Sequence, residues 1–240
     1  MKACIYTAIF GNYNELQQPV EQDIPCDFIC FTDAPWPSRI GAWQIIHVDK
    51  NPVQHPRLQA KYFKLMSHEV FLGGRLAYPY DNHGHVLRLL PFDLLIWIDG
   101  TIEITSSAFA RHMGASLGAS GWAMHRHPDR DCIFEEAEAS MKLPKYAYLP
   151  IGAQVAAYAG QGIKPHSGLY ACTLIVRRAP LPPELIEVNR QWWAENLTHS
   201  IKDQISLPYV LQKLQASVDV IAGDLYQSTL FRVGMHKMSL

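Results

Sequence analysis

Apolar residues along this chain fall into two spacings. Short unbroken runs occupy residues 3–10, 27–32 (DFICFT), 43–48 (WQIIHV), 92–98 (FDLLIWI), 122–126 and 169–176 (LYACTLIV). Runs of this length, rich in β-branched and aromatic residues, predict buried strands. The first stops at Gly11-Asn12-Tyr13-Asn14, the second at Asp33-Ala34-Pro35 and the fourth at Asp99-Gly100, all turn-forming sequences. Helical spacing appears in residues 56–71, where Leu58, Tyr62, Leu65 and Met66 are apolar and Arg57, Lys61 and Lys64 lie along another face. Residues 133–142, 154–159 (closed by Gly160), 185–197 and 204–214 also read as helices, with Pro208 in the early turns of the last. Residues 101–104 continue as a short strand, and Ser106 or Ser107 is the expected cap of a following helix. Residues 73–85 read as a surface loop, a candidate lid or acceptor contact. Strands alternating with helices predict one α/β domain over residues 1–240, with a mainly parallel central sheet flanked by helices and no internal repeat.

Composition narrows the function classes. In 240 residues, 48% hydrophobic and 18% charged, there is enough apolar material for a continuous core. A formal net charge of -1 argues against duplex nucleic acid or an anionic membrane as the main partner, since both select basic surfaces. The N-terminal MKACIYTAIFGNY has one basic residue and an apolar run broken at Gly11, unlike a signal peptide. No stretch approaches the roughly 20 apolar residues of a membrane span; residues 87–98 are interrupted by Arg88, Pro91 and Asp93. The five cysteines are odd in number and lack CxxC spacing, so free thiols and a cytoplasmic location are expected.

The most informative chemistry is Trp97-Ile98-Asp99-Gly100-Thr101-Ile102-Glu103. An acid directly after a long buried strand sits at the carboxyl end of an α/β sheet, where such folds bind ligands and where a hard cation bridging phosphates needs oxygen. The plainer alternative is a strand-ending Asp that closes a turn. Neither GxxxxGK[ST] nor GxGxxG follows the first strand, so phosphate would have to be neutralised by side chains, with Arg57, Lys61 and Lys64 available; a solvated basic face is the alternative. His125 and His127, with Asp131 or Cys132, offer zinc-ligand types without a convincing set of three, which keeps open a metal-dependent hydrolase. Asp131 is better suited to holding hydroxyls or to acid/base work; a charged loop is the alternative. Ser200 or Asp203 reads as a helix N-cap, and functionally Asp203 and Gln204 would face a ligand from a helix N-terminus. His236 is a tail residue or a metal ligand. No GxSxG supports a serine nucleophile.

Six ordered blocks resemble the TOD1/MUCI70 glycosyltransferase-like domain family: IYTAIFGNYNELQQP, CFTD, PRLQAKYFK, WIDGTIEI, HPDRDCIFEEA and KDQISLPYVL. The resemblance implies a GT-A-like fold, in which a DxD-type acid holds Mn2+ or Mg2+ against a nucleotide diphosphate. Here that slot is Asp99-Gly100-Thr101, without the second acid, and Glu103 or a late histidine would complete the sphere. By the same resemblance Asp99 and His236 are the expected metal ligands, and Asp203 with Gln204 lies near the reacting carbon of the sugar. Thr7, Ala8, Asn12 and Tyr13 would contact the nucleotide, with Asp33 near its base or ribose. Arg57 and Lys61 would meet the diphosphate, and Trp97 and Gly100 complete the donor-binding set. Asp131 and Asp203 are rival catalytic carboxylates. The implied reaction moves a sugar from a nucleotide-diphosphate donor, taken as a UDP-sugar, to a carbohydrate acceptor hydroxyl, with surface polysaccharide synthesis as the expected setting. The missing second acid leaves a catalytically silent sugar- or nucleotide-binding module as the alternative.

Overall fold

The computed structural model describes residues 1–49, 55–76 and 91–234. In chain order its strands are β1 (Ala3–Ile9), β2 (Cys26–Thr32), β3 (Arg39–Ile40), β4 (Trp43–His47), β5 (Phe71–Leu72), β6 (Arg75–Leu76), β7 (Leu94–Ile98), β8 (Ile102–Ile104), β9 (Trp122–Arg126), β10 (Tyr170–Arg178), β11 (Asp219–Val220) and β12 (Phe231–Val233). The helices are α1 (Pro56–Leu65), α2 (Ser67–Val70), α3 (Phe109–Ala115), α4 (Ile133–Met141), α5 (Ile151–Gly160), α6 (Pro183–Thr198) and α7 (Asp203–Leu214), with a 3-10 turn at Pro144–Tyr146.

Eight strands form the main sheet in the order β11-β9-β10-β7-β1-β2-β4-β3. β7, β1, β2 and β4 run parallel, β11 is parallel to β9, and β10 lies antiparallel between β7 and β9. The result is a mixed α/β fold with a large, mainly parallel sheet, consistent with the expected GT-A-like arrangement. All seven residues of β1 are buried, as a strand covered on both faces requires. Its alternate residues serve two cores. Cys4, Tyr6 and Ala8 pack with α1, α2 and α4 to α7, whereas Ala3, Ile5 and Ile9 pack with α3 and the β8–β12 ribbon.

The connectivity creates the cleft. From β1 the chain moves outward to β2 and β4, then returns to place β7 on the other side of β1. At such a reversal the connections leaving two adjacent parallel strands diverge, opening a crevice beyond their carboxyl ends.

Several local expectations change. The helix expected over 56–71 ends at Leu65, because Met66 leaves helical geometry (φ -90°, ψ 36°), and Phe71 is already in a strand. Ser106 precedes the cap position, Ala108, and accepts its N–H at 3.3 Å. Lys202 is the N-cap of α7 and Asp203 its first residue, so the Asp203 carboxylate serves other partners. Of the expected loop, residues 73–76 belong to the β5–β6 hairpin and the remainder lies outside the described residues. All five cysteines are unpaired. No helix among the described residues is long and apolar enough to cross a membrane.

Candidate functional site

The cleft is a crevice of about 170 Å3 that opens to solvent. Ala8, Ile9 and Phe10 line it from the end of β1, and Trp97, Asp99 and Gly100 from the end of β7. α1 contributes Pro56, Arg57, Ala60, Lys61 and Lys64, the segment entering α7 gives Ile201 to Gln204, and Cys172 and Thr173 of β10 form the floor. Tyr13, Asn14 and Tyr146 complete the rim.

α1 starts where it does because Pro56 occupies its first turn and the His55 Nδ1 accepts the Arg57 N–H at 3.2 Å. Spacings of four and three residues then put Arg57, Lys61 and Lys64 on one face. Lys61 and Lys64 both place their ammonium groups 2.7 Å from Asp203 Oδ2, and Lys64 lies 3.3 Å from Asp99 Oδ1. The Asp203 and Lys64 side chains are 7% and 4% exposed, so water screens this pair little. Burial alone would raise the Asp203 pKa, but Lys61 and Lys64 outweigh it and hold the carboxyl well below the usual carboxylate range. Burial would likewise lower Lys64, yet Asp203 and Asp99 hold it above the ordinary lysine value. Burial also pushes up the Cys172 thiol, leaving a neutral floor in place of a nucleophile.

Asp99 is fixed from three sides. Its N–H donates to Thr173 O at 2.8 Å, the Trp97 Nε1 donates to its Oδ1 at 2.8 Å, and Lys64 stands over the same oxygen. Gly100 admits Asn14, since a Cβ there would sit 3.0 Å from Asn14 Nδ2. Arg57 lies 4.8 Å from the Tyr146 ring centre and 5.7 Å from that of Tyr13. Lys202 lies 4.9 Å from the same Tyr146 ring and is anchored by Glu136 Oε1 at 2.7 Å. Burial tends to raise the Tyr146 pKa, but Lys202 and Arg57 reverse that and lower it.

Of the residues proposed from sequence, Ala8, Tyr13, Arg57, Lys61, Trp97, Asp99, Gly100, Asp203 and Gln204 line this cleft; Thr7, Asn12, Asp33 and Asp131 do not. Thr7 is buried inside the sheet. Gly11 and Asn12 form the left-handed turn that leaves β1, with φ of 62° and 54°. Asp33 holds that turn by accepting the Gly11 N–H at 2.9 Å. Asp131 is exposed and pairs with His166 at 2.6 Å. His236 lies outside the described residues. Lys64, offered from sequence with Arg57 and Lys61 to neutralise phosphate, also lines the cleft. The cleft adds Lys202, Tyr146 and Asn14, which are brought in by contacts distant in sequence.

The hydrolase arrangement does not form among the described residues. His125 is buried beside Phe231 with Nδ1 3.3 Å from Gly223 O, while the His127 Nδ1 accepts the N–H groups of Asp129 and Arg130. Their ring nitrogens thus face different partners. Among the described residues, the one group of three metal-ligand types is Asp131, Glu135 and His166, on the exposed surface.

Residues 30–236 match the family described as TOD1/MUCI70, glycosyltransferase-like domain. The chain belongs to that family. Among curated proteins it is similar to one from Arabidopsis thaliana named "Probable hexosyltransferase MUCI70", 23% identical over 193 residues. That similarity covers 75% of this chain and 29% of the relative, so the chain corresponds to under a third of that protein. A DxD-type Mn2+ or Mg2+ site, as the TOD1/MUCI70 resemblance implies, fits the described residues poorly. Asp99 has no second acid at position 101, and Asp203 Oδ2 already faces two ammonium groups. A +2 ion and an ammonium group about 5 Å apart repel by roughly 7 kcal/mol at an effective dielectric constant of ~20.

Proposed function

We propose that this chain is a glycosyltransferase whose cleft between β1 and β7 binds a nucleotide-diphosphate sugar and transfers the sugar to a carbohydrate hydroxyl. The observation carrying the reading is the convergence of Arg57, Lys61, Lys64 and Lys202 with Asp99 and Asp203 in one crevice at the topological switch point. Family membership supports transfer as the reaction class, and the name of the plant relative points to a hexose. A UDP-hexose is the first donor to try, and a surface polysaccharide the first acceptor class.

In the reaction, the bond from the anomeric carbon to the β-phosphate oxygen breaks and its electron pair stays with the diphosphate. The acceptor oxygen bonds to the anomeric carbon and its proton is lost to solvent. Asp203, clamped by two ammonium groups, is a poor proton acceptor and positions Lys61 and Lys64. Asp99 is the carboxylate free to orient sugar hydroxyls, its own geometry set by Trp97. Gln204, directly beside Asp203 on the rim, supplies an amide for the same purpose. Asp131, on the exposed surface, has no part in the step.

The test is release of nucleoside diphosphate from a panel of UDP- and GDP-sugars with oligosaccharide acceptors. Turnover of one donor, reduced at least tenfold in Asp99→Asn, is expected. Nucleotide binding without turnover of any donor would favour the silent binding module, which the clamped state of Asp203 also favours.

A further inference from the structure

We infer that the donor diphosphate is held by a cation cradle of Arg57, Lys61, Lys64 and Lys202, with no divalent ion between protein and phosphate. The inference rests on the donor-site reading above and concerns how that site takes its ligand.

Charge is the first argument. Among the described residues, four cations lining the cleft stand against two lining carboxylates, Asp99 and Asp203, which leaves a formal +2. A nucleotide-diphosphate sugar carries about two negative charges, so the lining complements it unaided. A bound divalent ion would add two more positive charges to a set already in balance.

Occupancy is the second argument. A hard cation needs oxygen ligands not committed elsewhere. Asp203 Oδ2 has an ammonium at 2.7 Å on each of two sides, and Asp99 Oδ1 accepts Trp97 at 2.8 Å with Lys64 3.3 Å away. Asp203 Oδ1 accepts the Gln204 N–H, so among the described residues lining the cleft one carboxylate oxygen, Asp99 Oδ2, is left for a ligand, where a hard cation needs several.

Preorganisation is the third argument. Lys61 and Lys64 are fixed by Asp203, and Lys202 by Glu136, whose other oxygen takes Arg130 at 2.7 Å. Arg57 lies against Tyr13 and Tyr146. These cations have little conformational freedom left to lose when a polyanion arrives.

The test is isothermal titration of the full chain with UDP and with GDP, in EDTA and again in Mn2+, for wild type, Arg57→Ala and Lys202→Gln. Circular dichroism verifies that each variant is folded; both residues border the cleft, and Arg57→Gln is the substitute if Arg57→Ala fails to fold. Affinity for one nucleotide should agree within about twofold between EDTA and Mn2+ and fall about tenfold or more in each variant. Binding that requires Mn2+ and survives both substitutions overturns the cradle while leaving the donor site intact. No binding of either nucleotide under either condition overturns the donor-site reading, and the cradle with it.

Discussion

Two clusters on this protein contain the side chains from which binding sites are built, and they behave differently. In the cleft, Asp203 is 7% exposed and has ammonium groups at 2.7 Å from Lys61 and Lys64. On the surface, Asp131 and His166 pair at 2.6 Å but remain 63% and 60% exposed, with Glu135 nearby. The surface cluster has the better ligand types for a metal and the shorter contact. Water screens it, however, since all three residues are exposed, Glu135 on the first turn of α4 included. The cleft cluster gains strength from burial, because removing one charge leaves the others desolvated and uncompensated. Residue type proposes a site; convergence and exclusion of water make one.

The comparison breaks most readily at Asp203. Asp203→Leu leaves two buried ammonium groups without their carboxylate and should lower stability by about 3–5 kcal/mol in urea denaturation. Adding Lys64→Met should recover part of that loss; a double variant no better than the single would show that the pair is not electrostatically coupled. Acid should produce a smaller version of the same effect. The folded-state pKa of Asp203 is depressed, so its contribution is present above the unfolded value of about 4 and is lost as pH falls from there through the folded value. Glu136 adds in the same direction, because Lys202 and Arg130 outweigh its burial. Thermal unfolding followed from pH 6 downward should therefore show a steeper decline for wild type than for Asp203→Asn. Smaller still is Trp97→Phe, which removes the indole N–H from Asp99 and should lower stability by about 1.5 kcal/mol. At the bottom of the scale, Asp131→Ala and His166→Ala should leave the denaturation midpoint unchanged, and added Zn2+ should not raise it. A zinc-dependent rise lost in His166→Ala would reverse the ranking of the two clusters.

The same contrast explains what was legible in the sequence. Strands announced themselves wherever both faces are buried: residues 122–126 match β9 at both ends, and residues 3–10 and 43–48 each overshoot by a single residue. Asp99 was legible because a long apolar run ends on it, and the basic face of α1 because helical spacing groups Arg57, Lys61 and Lys64. Lys202 was not legible. Its neighbours read as an ordinary helix start, and nothing local names Glu136 as its anchor. Tyr146, in a short turn after Pro144, likewise becomes part of the cleft only through its contacts with Arg57 and Lys202. Asp131 misled for the opposite reason: a dense run of polar residues after a strand looks like a site, yet here His127 and Arg130 settle the turn and face Glu136.

The family match begins at residue 30, inside β2, whereas the sheet is centred on β1, which exchanges register with β2 along seven residues and with β7 along four. The matched stretch and the cooperative fold therefore have different edges in this molecule, with the IYTAIFGNYNELQQP block lying before the match. A fragment cut at residue 30 would lose the strand that separates two others, one wall of the crevice and the tyrosine at residue 13. It would carry the signature of its kin without the hydrogen bonds that make the signature fold.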